Sequence, residues 1–285
     1  MRTPAGYNEC TIPRRRAIRD SIMPAVSGRW KSLTPARKLV CDLLRASSRM
    51  PIITFERRMD LSPLVEARSH ALPPPAWALL FVKAMALVAA RRPELRRAYL
   101  PLPWPHLWEA DVSSASVAVE RDYQGEPSVF FGVVRAPETR PLSELVAKLE
   151  EWKTKPVEEV HLFRRSLRFS RLPLPARRLL WWYAASWSGK VKARNFGTFG
   201  VSLTGAAGAT ATNLICPLTT SLNCGVIQPD GTVDVRLHFD HRVIDGMPAA
   251  RALAELEEVL RTEIVAEVLA LEGLATESIP AIAGV

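Results

Sequence analysis

The sequence predicts a mixed-sheet α/β fold, and three observations carry that expectation. Apolar stripes at helical spacing alternate loosely with short runs rich in β-branched and aromatic residues. Two pairs of those runs are joined by the turn sequences "YQGE" and "QPDGT", which make antiparallel hairpins, so the sheet is not purely parallel. No internal repeat is present, which sets solenoids and propellers aside.

At 285 residues, 48% hydrophobic and 24% charged, the chain has the composition of a soluble globular protein able to bury a sizeable core. Residues 1–32 are basic and without sustained periodicity, and are read as an N-terminal arm. A helix follows in "LTPARKLVCDLLRASS", with Thr34 as cap and Pro35 at its first position. Pro51 to Leu61 reads as a strand, and "PAWALLFVKAMALVAARRPEL" as a helix ended by Pro93. The apolar run Ala76 to Ala90 is short for a membrane span and has Lys83 at its middle, so a helix packed on a sheet explains it better. "ADVSSASVAVERD" and "PSVFFGVVRA" are the strands on either side of "YQGE". Behind Pro141, Leu142, Leu145, Leu149 and Trp152 form one helical stripe.

Residues 161–195 are atypical, because arginines are mixed there with Trp181, Trp182, Tyr183 and Trp187. Such a segment either packs its aromatics on the core or a neighbouring subunit, or lies in a membrane interface. "FGTFGVSLTG", a glycine-rich turn "AAGAT" and the strand-like "NLICPLTTSLNCGVI" come next. The last helix carries Leu253, Leu256, Leu260, Ile264, Val268 and Leu271 at three- and four-residue spacing, and 272–285 is a tail.

The formal charge of +9, with only 8 lysines among 38 basic residues, suits an anionic partner. No zinc-finger spacing, RNA-binding aromatic motif or basic zipper accompanies it, so nucleic acid is not expected. Cys10, Cys41, Cys216 and Cys224 form neither a CxxC nor a metal-site spacing, and are expected as free thiols with no metal. The N-terminus has no apolar signal core, and a cytoplasmic location is expected.

The chemistry concentrates in "FDHRVIDG", Phe239 to Gly246. Val233, Val235, Leu237 and Phe239 share one strand face, and His241 has their parity. Asp245 and Gly246 then make a turn into the helix, either one placed to cap it. Two readings are open. His241 is a core histidine satisfied by a carbonyl, or it is a general base at a strand-to-helix junction. No serine or cysteine adjoins it, so under the second reading the nucleophile is the substrate's own hydroxyl or thiol.

"FDHRVIDGMPAARAL" resembles the signature of the dihydrolipoamide acyltransferase catalytic domain of 2-oxo acid dehydrogenase complexes. The same His-x-x-x-Asp-Gly pattern marks the chloramphenicol acetyltransferases. "NFGTFGVSLTG", "FVKAMALVAARRPELRRAYL" and "RPLSELVAKLEEWK" resemble further segments of that family in order. The resemblance spans residues 33–271 and is weakest across 161–195. It implies a chloramphenicol acetyltransferase-like two-layer sandwich with a mixed β-sheet, and a CoA-dependent acyltransferase. His241 is implied as the general base, Asp245 as the support of its geometry, and Ser202 as the donor to the tetrahedral oxyanion. It further implies acyl-CoA as a substrate, with neither metal nor acyl-enzyme. The implied assembly is a homotrimer or larger shell whose channel takes histidine and serine from neighbouring chains.

Against the family pattern, no lipoyl domain, subunit-binding domain or alanine-proline linker is recognised, so no lipoate is expected on this chain. A lipoylated protein or other dehydrogenase-complex components would act in trans. Leu43 stands near the place of a family arginine, and polar Asn223 interrupts a strand that is apolar in the family. The alternative functions are a non-catalytic trimeric scaffold of the same fold, or an acyltransferase acting on a lipid-like acceptor at a membrane surface.

Overall fold

The computed structural model describes residues 28, 30–48, 50–203, 208–209, 211 and 217–277, with side chains to 271. The expected arm therefore lies almost wholly outside the described residues, as does most of the "AAGAT" turn.

Leu33 onward forms one compact unit. A six-stranded mixed sheet runs in the order β1 (Ile52–Asp60), β8 (Thr232–Asp240), β7 (Thr220–Cys224), β6 (Phe199–Leu203), β4 (Ser114–Tyr123), β5 (Glu126–Arg135). β6 pairs in parallel with both β4 and β7, and the other pairings are antiparallel. The expected α/β sandwich with a mixed sheet is what forms. The β4–β5 hairpin turns through Gln124 (φ 56°) and Gly125 (φ 75°), two left-handed residues that match the twist of the flanking strands.

One face of the sheet is apolar. Val233, Val235, Leu237 and Phe239 point there with Leu222, Val201, Phe199, Val117 and Ala115, all buried. Against them pack α3 (Trp77–Arg91), α4 (Leu142–Thr154) and α8 (Gly246–Arg261). The stripe of α4 is buried as the spacing predicts: Leu142, Leu145, Leu149 and Trp152 are each at most 4% exposed. Buried Lys83, midway along apolar α3, donates to the carbonyls of Glu138 (3.2 Å) and Arg140 (2.6 Å) and lies 3.1 Å from a Glu267 carboxylate oxygen. A buried ammonium is tolerable only when paired in this way.

Some elements differ from the expectation. α2 (Ser62–His70) and the short hairpin β2 (Arg97–Leu100) with β3 (His106–Glu109) add structure between the predicted segments. The final helix breaks at Thr262 (φ −118°, ψ −75°), and α9 (Glu263–Glu277) leaves at a new angle to bury Ile264 and Val268 and pack on α2. Helix α9 continues past 271 into the expected tail. Residues 161–195 form α5 (His161–Ser170), α6 (Leu174–Ser186) and most of α7 (Gly189–Phe196). With α1 (Pro35–Ser47), capped by the Thr34 hydroxyl on the Arg37 N–H (3.3 Å), they gather around β5.

The sheet's other face is polar across β1, β8, β7 and β6. One cross-strand row runs Thr54, His238, Ser221, Gly200; the next runs Glu56, Arg236, Asn223, Ser202. His238 is 2% exposed, and its Nδ1 meets the Thr54 hydroxyl at 2.8 Å. Burial depresses the His238 imidazole below its ordinary range, and the Arg236 guanidinium adds to that. The folded state thus binds fewer protons than the unfolded chain once pH falls below about 6.5. The stability from neutral His238 is complete above that pH and is lost on acidification. We expect the urea midpoint to fall between pH 7 and pH 5, and His238→Gln to flatten that part of the profile.

Candidate active site

The site is built where β8 ends. Asp240, the last strand residue, has a side chain only 1% exposed. A carboxylate in such a place must be paired, and Arg242 folds back onto it. The Arg242 N–H and Nε both donate to Asp240 Oδ1 (3.0 and 2.9 Å), and an Nη donates to Oδ2 at 2.7 Å. This is the two-toothed geometry that suits a guanidinium to a carboxylate. It holds the Arg242 pKa above its ordinary value. The guanidinium also lies over the Tyr99 ring, 4.3 Å from its centroid, so the β2–β3 hairpin braces the turn from below.

His241 lies between the two members of that pair. Its N–H donates to Pro51 O (3.1 Å), and its ring meets Phe239 edge-on at 6.2 Å. The strand alternation would send His241 to the apolar side. Because β8 stops at Asp240, the turn instead leaves the imidazole 45% exposed. Its Nδ1 lies 3.1 Å from Ile244 O. A carbonyl can only accept, so Nδ1 carries the proton and Nε2 keeps a free lone pair. This is the tautomer a general base requires. Asp245 Oδ1 stands 3.6 Å from Nδ1, too long for a hydrogen bond. Asp245 occupies the N-cap position of α8 without a side-chain capping bond. Gly246 follows where an added Cβ would lie 3.0 Å from the Phe55 ring, so a larger residue here would press on β1.

Ser202 is held in another part of the sheet. Gly197, at φ +93°, ends α7 and turns the chain into β6; a Cβ there would lie 2.7 Å from Ser114 O. The Thr198 hydroxyl accepts the Ser114 N–H at 2.9 Å and locks the start of β6 to β4. At the far end, Asn223 Nδ2 donates to Ser202 O at 3.1 Å. Asn223 is 0% exposed and fixes the backbone of the serine.

Within one chain Ser202 and His241 do not meet. Ser202 pairs with Asn223 and so with Arg236, five residues before His241 on β8. At about 3.3 Å per residue and 4.8 Å per strand, that separation is roughly 17 Å along the strands and two strands across. His241 and Asp245 are brought together, and Ser202 is not.

The fold has close structural neighbours. A dihydrolipoamide acetyltransferase of Azotobacter vinelandii superposes with a TM-score of 0.61 at 21% identity, covering 85% of this chain and 95% of that one. This is the dihydrolipoamide acetyltransferase core fold. The cubic core of the pyruvate dehydrogenase multienzyme complex superposes with a TM-score of 0.60 at 21% identity (85% and 95% covered). A truncated catalytic core of the 2-oxoacid dehydrogenase multienzyme complex of Thermoplasma acidophilum gives 0.58 at 16% identity (83% and 99%). In the Azotobacter protein a serine, a histidine and an asparagine have been studied for their role in the catalytic mechanism. No sequence-family model and no curated protein sequence matches this chain.

Sequence reasoning singled out His241, Asp245 and Ser202 and did not single out Asp240, Arg242 and Tyr99. The signal for the first two was present: an acidic and a basic residue two apart at a strand end, both on the polar parity. The two members of the pair should respond unequally to mutation. Arg242→Ala strands a buried carboxylate and should cost about 3 kcal/mol. Asp240→Asn leaves only a part-exposed guanidinium and should cost about 1 kcal/mol. Thermal unfolding of the two variants measures this order, and Arg242→Lys, which lacks the fork, should behave more like alanine than like wild type.

Proposed function

We propose that the protein is a CoA-dependent acyltransferase working as a homotrimer, with His241 of one subunit facing Ser202 of the next. The observation that carries this is the Nδ1–H bond to Ile244 O, which leaves His241 Nε2 as a free base at a strand end. The acceptor thiol or hydroxyl is hydrogen-bonded to Nε2 and gives it its proton. A thiol with an ordinary pKa near 8.5 is mostly protonated at neutral pH, so this step raises the reactive thiolate. The thiolate attacks the acyl thioester carbonyl carbon, and the resulting oxyanion accepts a hydrogen bond from the Ser202 hydroxyl. One such donor is worth about 3 kcal/mol of barrier. Collapse breaks the bond to the CoA sulfur, which takes the proton back from the His241 imidazolium. Asp245 steadies that imidazolium while it exists.

The neighbours' fold and the distance between Ser202 and His241 within one chain both support a site shared between subunits. A lipoylated protein acting in trans fits the thiol acceptor. A row on α6 favours a second acceptor class. Leu179 (63% exposed), Trp182 (49%) and Trp187 (46%) face outward beside arginines, which suits a lipid-like acceptor at a membrane surface.

Release of free thiol from acetyl-CoA and longer acyl-CoAs tests the reaction with dihydrolipoamide as acceptor. His241→Ala and Ser202→Ala should each lower kcat by about 100-fold or more. Wild type as inert as His241→Ala with every donor would leave the scaffold reading in its place. Mixing the two variants through a common refolding step tests the shared site. In a cyclic trimer each intact site needs a good histidine beside a good serine, so up to about one quarter of wild-type activity should return. No recovery, with mixed trimers confirmed by native mass, would rule out a site shared between subunits.

A further inference from the structure

The helices of 161–195 enclose a cavity that the acyl-transfer step does not use. It has a volume of about 340 Å³ and lies between α1, α5, α6, α7 and the outer face of β5. That volume is within the roughly 300–1,000 Å³ range of small-molecule sites. Its floor is Phe131 and Val133, and its walls include Leu162, Phe169, Trp181 and Phe196. Trp181 is 6% exposed and stacked on Phe196 at 4.6 Å with an interplanar angle of 8°, so this wall is rigid.

Three features separate it from a packing void. The Trp181 Nε1–H and the Asn195 side-chain oxygen, both on lining residues, are buried with no hydrogen-bond partner among the described residues. Buried polar atoms of that kind are normally satisfied, so each asks for a partner. Two exposed guanidiniums, Arg165 and Arg194, also line it, and neither forms an ion pair among the described residues. Apolar walls, a buried donor and acceptor, and two free cations together select a ligand with a hydrocarbon body and an anionic head.

We infer that this cavity binds the hydrocarbon chain of a single-chain anionic amphiphile, a fatty acid or the fatty acyl group of a CoA thioester, with Arg165 and Arg194 at its charged end. The site stands independently of the acyl-transfer reading, because His241 takes no part in it. The two sources share one chemistry and differ in where the carbonyl goes. Val133 pairs with Ser116, and Ser116 with Gly200. The cavity floor therefore lies on the same sheet face as Ser202, two strand spacings or about 10 Å away. A chain reaching across that distance would join the cavity to the serine.

The test is calorimetric titration of the whole chain with dodecanoate. One saturable site per chain is expected, with dodecanol bound about tenfold or more weakly because it lacks the charge. Ala184 lines the cavity and is 6% exposed, and Ala184→Trp should fill the space and abolish binding. The surface double variant Arg165→Ala/Arg194→Ala leaves the walls intact and should weaken dodecanoate by at least about tenfold while sparing dodecanol. His241→Ala should bind as wild type does. Competition by dodecanoyl-CoA would assign the chain to an acyl donor, and its absence would assign the site to a free acid. No saturable dodecanoate binding, or binding unchanged by both the cavity and the arginine variants, would overturn the inference. Chain binding in a protein inert towards every acyl-CoA would uphold this site and sink the acyltransferase reading alone.

Discussion

Asp240 sets the geometry of everything around His241. A carboxylate with 1% of its side chain exposed cannot stay charged and unpartnered, because the penalty would be several kcal/mol. The nearest remedy along the chain is Arg242, which reaches back with its backbone N–H as well as its guanidinium, and the N–H contact is made only where the backbone curls. The same curl ends β8, turns the intervening His241 outward and brings Ile244 O beneath its Nδ1. The proton position on the histidine thus follows from an ion pair that never touches the imidazole. The Tyr99 ring under the guanidinium extends the dependence to β2, which is otherwise a minor ornament.

The polar face of the sheet imposes the second constraint. Antiparallel β8 and parallel β6 fix Ser202 against Arg236 rather than against the end of β8. No side-chain rotation spans about 17 Å, so a reaction using both groups needs two chains. Asn223 and His238 show what this face costs. Among the described residues, buried Asn223 has its Oδ1 unpartnered and buried His238 its Nε2. An apolar strand would be more stable, yet Asn223 is what restrains the backbone of Ser202.

Local rules made much of this legible. The α4 stripe, the Thr34–Pro35 start of α1, the Gln124–Gly125 turn and Asp245 at the head of α8 each depend on a few adjacent residues, and each forms as expected. What was missed depends on partners distant in sequence. The β2–β3 hairpin has four-residue strands between prolines, too short for periodicity to register, and its value lies in Tyr99 meeting Arg242. Helix α2 follows Leu61 without a side-chain cap, and Pro63 in its first turn is the local mark of its start. Parity failed for His241 because alternation holds only while the strand continues, and an ion pair ended the strand one residue early. The place of Ser202 was read from resemblance, while its distance from His241 needed the strand order.

The segment 161–195 illustrates the same division at larger scale. Its arginine-tryptophan mixture was ambiguous because Arg177 and Trp181 turn inward while Trp182 and Trp187 turn outward from one helix. Arg177 donates to Ser170 O at 2.9 Å and pairs with Asp42 of α1 at 3.0 Å, both side chains under 10% exposed. Burial raises the Asp42 carboxyl above its ordinary range, while Arg177, Arg178 and Arg45 pull the other way. Burial is the larger of these effects, so the Asp42 carboxylate depends on its arginine partners to stay charged. Its effect is positional: it pins α6 to α1 at one turn, and the next turn of α6 carries Trp181 onto Phe196. The cavity wall therefore stands where that buried ion pair places it.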